Sequence, residues 1–509
     1  VRCPTSTRGR AGRGLIAALL CLCAASTAVR AGPLPAPVQQ ALRAADLPDE
    51  ALAVVVRPVG RGRARLAWQA DRAMQPGSTM KVVTTAVALD RLGPNHRGFT
   101  ELLSAAPVQG DVLRGDLVLR GGADPELGLP QLWALLSELR WQGVREIAGD
   151  IVLDRSLFRP ARLDLGVPPF DEWPESRYNV IPDALHLTES LMGFELDSTA
   201  ADGTVRARLV PPLPGVRIDT SRMTPSTRPC RQWDEDWLTP AEQATDADGT
   251  LRLTLRSGFP AGCVRREALQ LIDRDQLAER HLRWLWQGLG GTWQGKVRAE
   301  PGPAAARVLV RRPSRPWGEL LRHLNKTSDN AWTRLLYLQL GVPAMAAEPD
   351  RSTAELAARE VLRWFDEQRI ATAGLVLDNG SGLSRSERIS PHQMAAVLAA
   401  ARAGRWASEL TMSLPVPGVD GTLAERLKGS PAAGRARLKT GTLRNVVALA
   451  GYVPDAQGRW WILAAMVNHD QAGRARPVLD ALVDWVAQGG AAQGGGPRRS
   501  PVGPQGEGP

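Results

Sequence analysis

Strand-forming segments stand at both ends of this chain, with helical ones before the last of them. "ALAVVVRPVG" (51–60) and "ARLAWQADRAM" (64–74) read as two strands joined by a Gly/Arg turn, a hairpin. "ARLKTGTLRNVVALAGYVPDAQGRWWILAAMVN" (436–468) gives further strand signals around an Asp-Ala-Gln-Gly turn, and a closing helix follows at 475–487. Between them, 318–341, 352–368 and 390–404 carry apolar residues at helical spacing. Strands so far apart in sequence share a sheet only if both termini contribute to it and the middle of the chain loops out. The expected class is therefore α/β (α+β): one antiparallel sheet flanked by helices, with a large α+β insertion. Material of different character runs from 99 to 304, including the similar strand-plus-turn segments "GDLVLRGGADP" and "GDIVLDRSLF" and a long helix expected over 266–290.

The 509 residues are enough for two to three domains. The expected organisation is a leader at 1–31, a discontinuous domain at 32–98 and 305–488, the insertion at 99–304, and a disordered Gly/Pro-rich tail at 489–509. The leader has a basic n-region (Arg2, Arg8, Arg10, Arg13), the short apolar run "LIAALLCLCAA", and small residues for cleavage after Ala28 or Ala31. It reads as a secretory signal peptide and implies a secreted, periplasmic protein. No later run approaches the about 20 apolar residues of a bilayer span, so at most weak peripheral membrane contact is expected. Cleavage leaves Cys230 and Cys263, which can pair in an oxidising compartment or stay as free thiols. The net charge of +10 comes from scattered arginines without aromatic interleaving. Nucleic acid is therefore not the expected partner; an anionic envelope polymer is.

The chain has 63 Lys+Arg but only five lysines, at 81, 296, 326, 428 and 439. One stands in "PGSTMKVVTT", where Ser78 and Lys81 are three apart at the start of a helix and so share a face. A serine hydroxyl needs a neighbouring base to become a nucleophile. A lysine serves once burial or a second cation lowers its pKa, whereas arginine does not deprotonate. The same residues also fit an N-capping serine and a solvated lysine. In "KTSDN", Ser328 and Asn330 can reach a cleft from an interhelical loop, or Ser328 can cap the next helix. In "LKTGTL", Lys439 and Thr440 can hold a carboxylate on an edge strand, with Gly441 admitting a ligand to the backbone. "GGTWQGKV" has phosphate-loop spacing but places Val297 where Ser or Thr is required. The histidines and cysteines show no metal spacing.

S-x-x-K, S-D-N and K-T-G in this order form the signature set of penicillin-recognising serine enzymes, and the chain resembles them. Ser78 and Ser328 stand 250 residues apart. That gap resembles the low-molecular-mass class C penicillin-binding proteins, the D-alanyl-D-alanine carboxypeptidase/endopeptidase family, rather than β-lactamases. "LVLRGGADPEL", "DNGSGLSR", "ISPHQMAAVL", "LPVPGVDGTLAERL" and "KTGTLRNVVALAGYV" are similar to the same family. The resemblance implies a penicillin-binding/serine β-lactamase-like transpeptidase fold, peptidoglycan peptides as substrate, β-lactams as inhibitors, and no cofactor or metal. It implies Ser78 as nucleophile, Lys81 as base, and Ser328 with Lys439 as the proton path to the leaving amine. Asn330 would bind the substrate amide. Thr440 and Thr442 would hold its carboxylate, and the backbone N–H groups of Ser78 and Thr442 the oxyanion. Leu383 and Leu443 would line a side-chain pocket, with Asp171 and Trp173 as further candidates from the insertion. Rival readings are a catalytically inert peptidoglycan-binding scaffold and a β-lactamase.

Overall fold

The computed structural model describes residues 33–237 and 241–492. The expected leader and nearly all of the expected tail lie outside them. No helix among the described residues is long and apolar enough to cross a membrane.

Both ends of the chain build one five-stranded antiparallel sheet. The hairpin strands β1 (Leu52–Pro58) and β2 (Leu66–Trp68) join β3 (Arg437–Leu443), β4 (Val446–Pro454) and β5 (Trp460–Asn468) in the order β2-β1-β5-β4-β3. Val54 lies opposite Ala465, and Lys439 opposite Ala450. Because successive side chains alternate between faces, β1 sends Ala53 and Val55 to one core and Leu52, Val54 and Val56 to another. Both faces are covered, so the strands read as continuous apolar runs rather than alternating ones. On one face lie α1 (Ala36–Ala44) and α7 (Arg476–Ala487). On the other lie α2 (Met80–Arg91), α3 (Trp317–Thr327), α4 (Asn330–Gln339), α5 (Thr353–Glu367) and α6 (Pro391–Ala403). At the β4–β5 turn, the Asp455 carboxylate accepts from the backbone N–H groups of Gln457 and Arg459 and from the Trp461 indole.

Helix α2 is buried on every side from Met80 to Leu89, as befits a central helix rather than an amphipathic surface one. Ahead of it runs a single 3₁₀ turn, Gly77–Thr79. Ser78 makes no capping bond there; the Thr79 hydroxyl donates to the Pro76 carbonyl instead.

The inserted material leaves the half that builds the five-stranded sheet on strand Phe99–Ser104 and returns on Arg307–Pro313, which pair antiparallel. This pairing carries the insertion to Pro313, past the expected boundary at 304, because the last strand can close the sheet only beside the first. The two similar segments lie next to each other in that sheet, Leu117–Gly122 parallel to Ile151–Asp154 with Leu117 opposite Ile151. The helix expected over 266–290 is shorter, Arg274–Gly288. Residues Val264–Leu269 are a strand instead, paired with Met192–Asp197 in a second, β-rich unit nested inside the first.

Cys230 and Cys263 form a disulfide within that nested unit. Their 33-residue separation gives an entropic stabilisation of about 3–4 kcal/mol by the chain-closure relation. Cys230→Ala/Cys263→Ala should lower the denaturant midpoint of this unit. Monitoring Trp237 of the nested core against Trp364, packed on the five-stranded sheet, as single retained reporters should show the loss at Trp237 alone.

Candidate active site

Three elements converge on one cleft. The turn before α2 brings Ser78, the α3–α4 junction brings Ser328 and Asn330, and edge strand β3 brings Lys439 to Leu443. The cleft, of about 350 Å³, is lined by Ser78, Ser328, Asn330, Leu383, Thr442 and Leu443, and on the insertion side by Asp171, Trp173 and Tyr178.

Lys81 is fully buried. Its ammonium donates to Ser78 Oγ at 3.1 Å, to Asn330 Oδ1 at 2.6 Å, and to the backbone carbonyl of Ser381. Burial holds its pKa well below the usual lysine range, and the charge on Lys439 adds to the depression; Asp329 and Glu387 oppose it. Lys439 is equally buried, and desolvation pushes it down to about 7. It donates to Ser328 Oγ at 2.8 Å and to the Thr440 carbonyl at 3.0 Å. Each lysine thus holds one of the two cleft serines, and neither is the solvated side chain that a bare S-x-x-K permits.

Ser328 does not cap α4. It ends α3 in a left-handed conformation, φ 63°, an uncommon one for a residue with a Cβ. Asp329 is the cap, accepting from Trp332 N–H at 2.8 Å. This division leaves the Ser328 hydroxyl free to meet Lys439. The side chain of Asn330 is fixed at both ends: Oδ1 on Lys81, and Nδ2 donating to the Tyr178 carbonyl of the insertion at 2.8 Å. The second hydrogen on Nδ2 remains for a ligand carbonyl.

Gly441 explains the close approach of β3 to the serine turn. A Cβ there would lie 2.5 Å from Pro76 O and 3.1 Å from Ser78 N. Gly77, at φ +52°, passes the same strand from the other side, where a Cβ would lie 3.1 Å from Thr442 N. The backbone N–H groups of Ser78 and Thr442 therefore sit on two segments in contact. The Thr440 hydroxyl meets that of Thr422 at 2.7 Å.

Several site residues had no sequence signal of their own. Glu387 is buried, pushed up to about 7 by desolvation, and accepts from Gly380 and Gly382 N–H at 2.7 and 2.9 Å. It thereby shapes the 380–382 loop whose Ser381 carbonyl receives Lys81. On the insertion side, Asp171 accepts from the Tyr178 hydroxyl at 2.9 Å and from Asn179 Nδ2 at 2.7 Å. Two clamps cross from the insertion to the sheet-bearing half: the ion pair of Glu172 with Arg444, and Arg385, which stacks 4.2 Å over the Phe170 ring.

The antiparallel sheet, the central helix carrying Lys81 with Ser78 on the turn ahead of it, and the looped-out α+β insertion define the penicillin-binding-protein fold. Residues 34–489 match the D-Ala-D-Ala carboxypeptidase 3 (S13) family, and the chain belongs to it. It is 30% identical over 475 residues to the D-alanyl-D-alanine carboxypeptidase of Actinomadura sp. strain R39, covering 89% of this chain and 85% of that one. It is 27% identical over 411 residues to the D-alanyl-D-alanine carboxypeptidase DacB of Haemophilus influenzae, covering 79% and 81%. The crystal structure of penicillin binding protein 4 from H. influenzae superposes with a TM-score of 0.71 at 24% identity, over 88% of this chain and 98% of that one.

Proposed function

We propose that the protein is a serine D-Ala-D-Ala carboxypeptidase and DD-endopeptidase acting on peptidoglycan stem peptides through an acyl-enzyme at Ser78. The observation that carries this reading is the buried Lys81 ammonium within 3.1 Å of Ser78 Oγ and depressed towards its neutral, proton-accepting form. Neutral Lys81 takes the Ser78 proton as Oγ attacks the carbonyl of the penultimate D-Ala. The oxyanion that develops faces the N–H groups of Ser78 and Thr442. Asn330 holds the substrate amide, and Thr440 and Thr442 its terminal carboxylate. As the peptide C–N bond breaks, the proton reaches the leaving amine through Ser328, with Lys439 behind it. Water then attacks the ester, releasing the shortened peptide and restoring Ser78. Leu383 and Leu443 meet the substrate side chain, with Asp171 and Trp173 on the facing wall.

The same Ser78 chemistry would open a β-lactam ring and leave a penicilloyl ester, in keeping with the β-lactam complex solved for the H. influenzae protein. A secreted, periplasmic location is supported by the Cys230–Cys263 bond, since disulfides persist in oxidising compartments. We place the catalytic domain in the sheet-forming halves and treat the insertion as the wall that closes the cleft.

Incubation with a pentapeptide ending in D-Ala-D-Ala should release one D-alanine per peptide. A cross-linked dimer should yield monomers if the endopeptidase reading holds. Failure to release D-alanine from a folded sample would contradict the carboxypeptidase reading. Gly441→Ala tests the oxyanion assignment: its methyl pushes β3 off the serine turn, and acylation should slow by about 10²–10³-fold. An acylation rate matching the wild type would remove Thr442 from that role.

A further inference from the structure

A loop from Leu414 to Leu423, whose residues have no part in the steps above, ties the second motif to the third. Lys326, two residues before Ser328, donates to both oxygens of Asp420, at 2.8 and 2.7 Å, and to the Leu414 carbonyl at 2.9 Å. Asp420 Oδ1 also accepts from Val416 N–H at 2.9 Å. Gly421, at φ +61°, passes so close to the end of α3 that a Cβ there would lie 2.8 Å from the Lys326 carbonyl oxygen. The 3₁₀ turn Gly421–Leu423 ends on Leu423, which is buried in the core that holds α1 and α7. Thr422 is therefore mounted between two anchors, one on α3 and one in the core.

This mount sets the Thr422 hydroxyl against the third motif. Thr422 Oγ1 lies 2.7 Å from Thr440 Oγ1, with Thr422 exposed and Thr440 half-buried. Thr440 is two residues from Thr442 and so shares its face of β3, and Thr442 lines the cleft. A threonine hydroxyl has one hydrogen to donate and two lone pairs to accept with. In the pair alone, either oxygen can be the donor. A carboxylate removes that freedom, because it has no hydrogen to give. Once Thr440 donates its one hydrogen to a carboxylate, its bond to Thr422 survives only with Thr422 as the donor. The order is then fixed: Thr422 donates to Thr440, and Thr440 to the carboxylate. Each bond in such a chain polarises the next, and the Thr440 hydroxyl is held on its target.

We infer that Thr422 is a positioning residue for the terminal carboxylate of the substrate, acting through Thr440, whose hydroxyl hydrogen it directs onto that carboxylate. Lys326 and Asp420 keep it in range, tying the element that carries Ser328 to the side chain that sets Thr440. The inference rests on the reading that Thr440 meets the substrate carboxylate.

Binding of diacetyl-L-lysyl-D-alanyl-D-alanine and of its C-terminal carboxamide is measured calorimetrically on full-chain Ser78→Ala, so that no turnover is needed. The acid should bind about tenfold more tightly than the amide. Thr422→Val, close in shape but without the hydroxyl, should lower that preference about 3–10-fold by weakening the acid alone, and Thr422→Ser should keep it. Thr440→Val should lower it as well, and adding Thr422→Val to Thr440→Val should change nothing further, since coupled residues are not additive. A purely structural role for Thr422 would weaken acid and amide alike. The inference is overturned by an acid preference unchanged in Thr422→Val, by its loss in Thr422→Ser, or by threonine effects that multiply. A folded parent that shows no acid preference, or binds neither peptide, overturns it too. D-Alanine release by the wild type, assayed beside it, then shows whether the peptidase reading stands without this carboxylate contact or falls with it.

Discussion

Lys81→Arg is expected to slow acylation of Ser78 by about 10⁴-fold, the upper range for loss of a positioned base. Arginine keeps the positive charge and much of the length, so an electrostatic role for residue 81 would survive the change. A base would not, because the guanidinium keeps its proton at any workable pH. The surroundings sharpen the contrast. The Lys81 ammonium has three acceptors on three elements, Ser78 Oγ, Asn330 Oδ1 and Ser381 O, which suit three tetrahedral donors better than a planar fork. The rate is read by stopped flow with a chromogenic β-lactam; a variant within tenfold of wild type would show that Lys81 is not the base. In a chain that otherwise prefers arginine, two of the five lysines are the fully buried cleft pair, as a role needing a cation able to lose its proton would require.

Lys439→Met is expected to cost about 10²–10³-fold in acylation, with a pH dependence that identifies the cause. Lys439 titrates at about 7, so it is charged mainly below that pH, and there its repulsion lowers the Lys81 pKa. Removing it lets Lys81 hold its proton to higher pH. The acid limb of the rate profile therefore moves up, and the deficit is greatest below pH 7. Glu387 acts with the opposite sign. Its carboxylate raises the Lys81 pKa, and with its own value near 7 it is ionised mainly above that pH. Glu387→Gln should therefore move the acid limb down, with its effect on Lys81 confined to pH above 7. Profiles of the two variants displaced in the same direction would contradict this coupling.

The sheet was legible because its strands are long, β-branched and alanine-rich, and because strands at the two ends of a chain have few ways to pair. The three motifs were legible because S-x-x-K, S-D-N and K-T-G, each common alone, occur together and in this order. What the sequence concealed is mostly a matter of backbone. Ser78 and Ser328 have the residue type of helix caps, but a 3₁₀ turn and a left-handed C-terminus give them other work, while Thr79 and Asp329 meet the local backbone needs. Glu387 stands in "DNGSGLSRSE", where glycine and serine signal only a turn; its role depends on burial against Gly380 and Gly382, which no local pattern encodes. Tyr178 contributes through a carbonyl, which has no residue identity at all.

The most direct test of the account is the intact mass of the protein with and without benzylpenicillin, beside Ser78→Ala. The account predicts a gain of one penicilloyl mass in the wild type, persisting for minutes and absent from the variant. A folded wild type that takes no label, even transiently, or a variant that is labelled equally, would contradict Ser78 as the nucleophile.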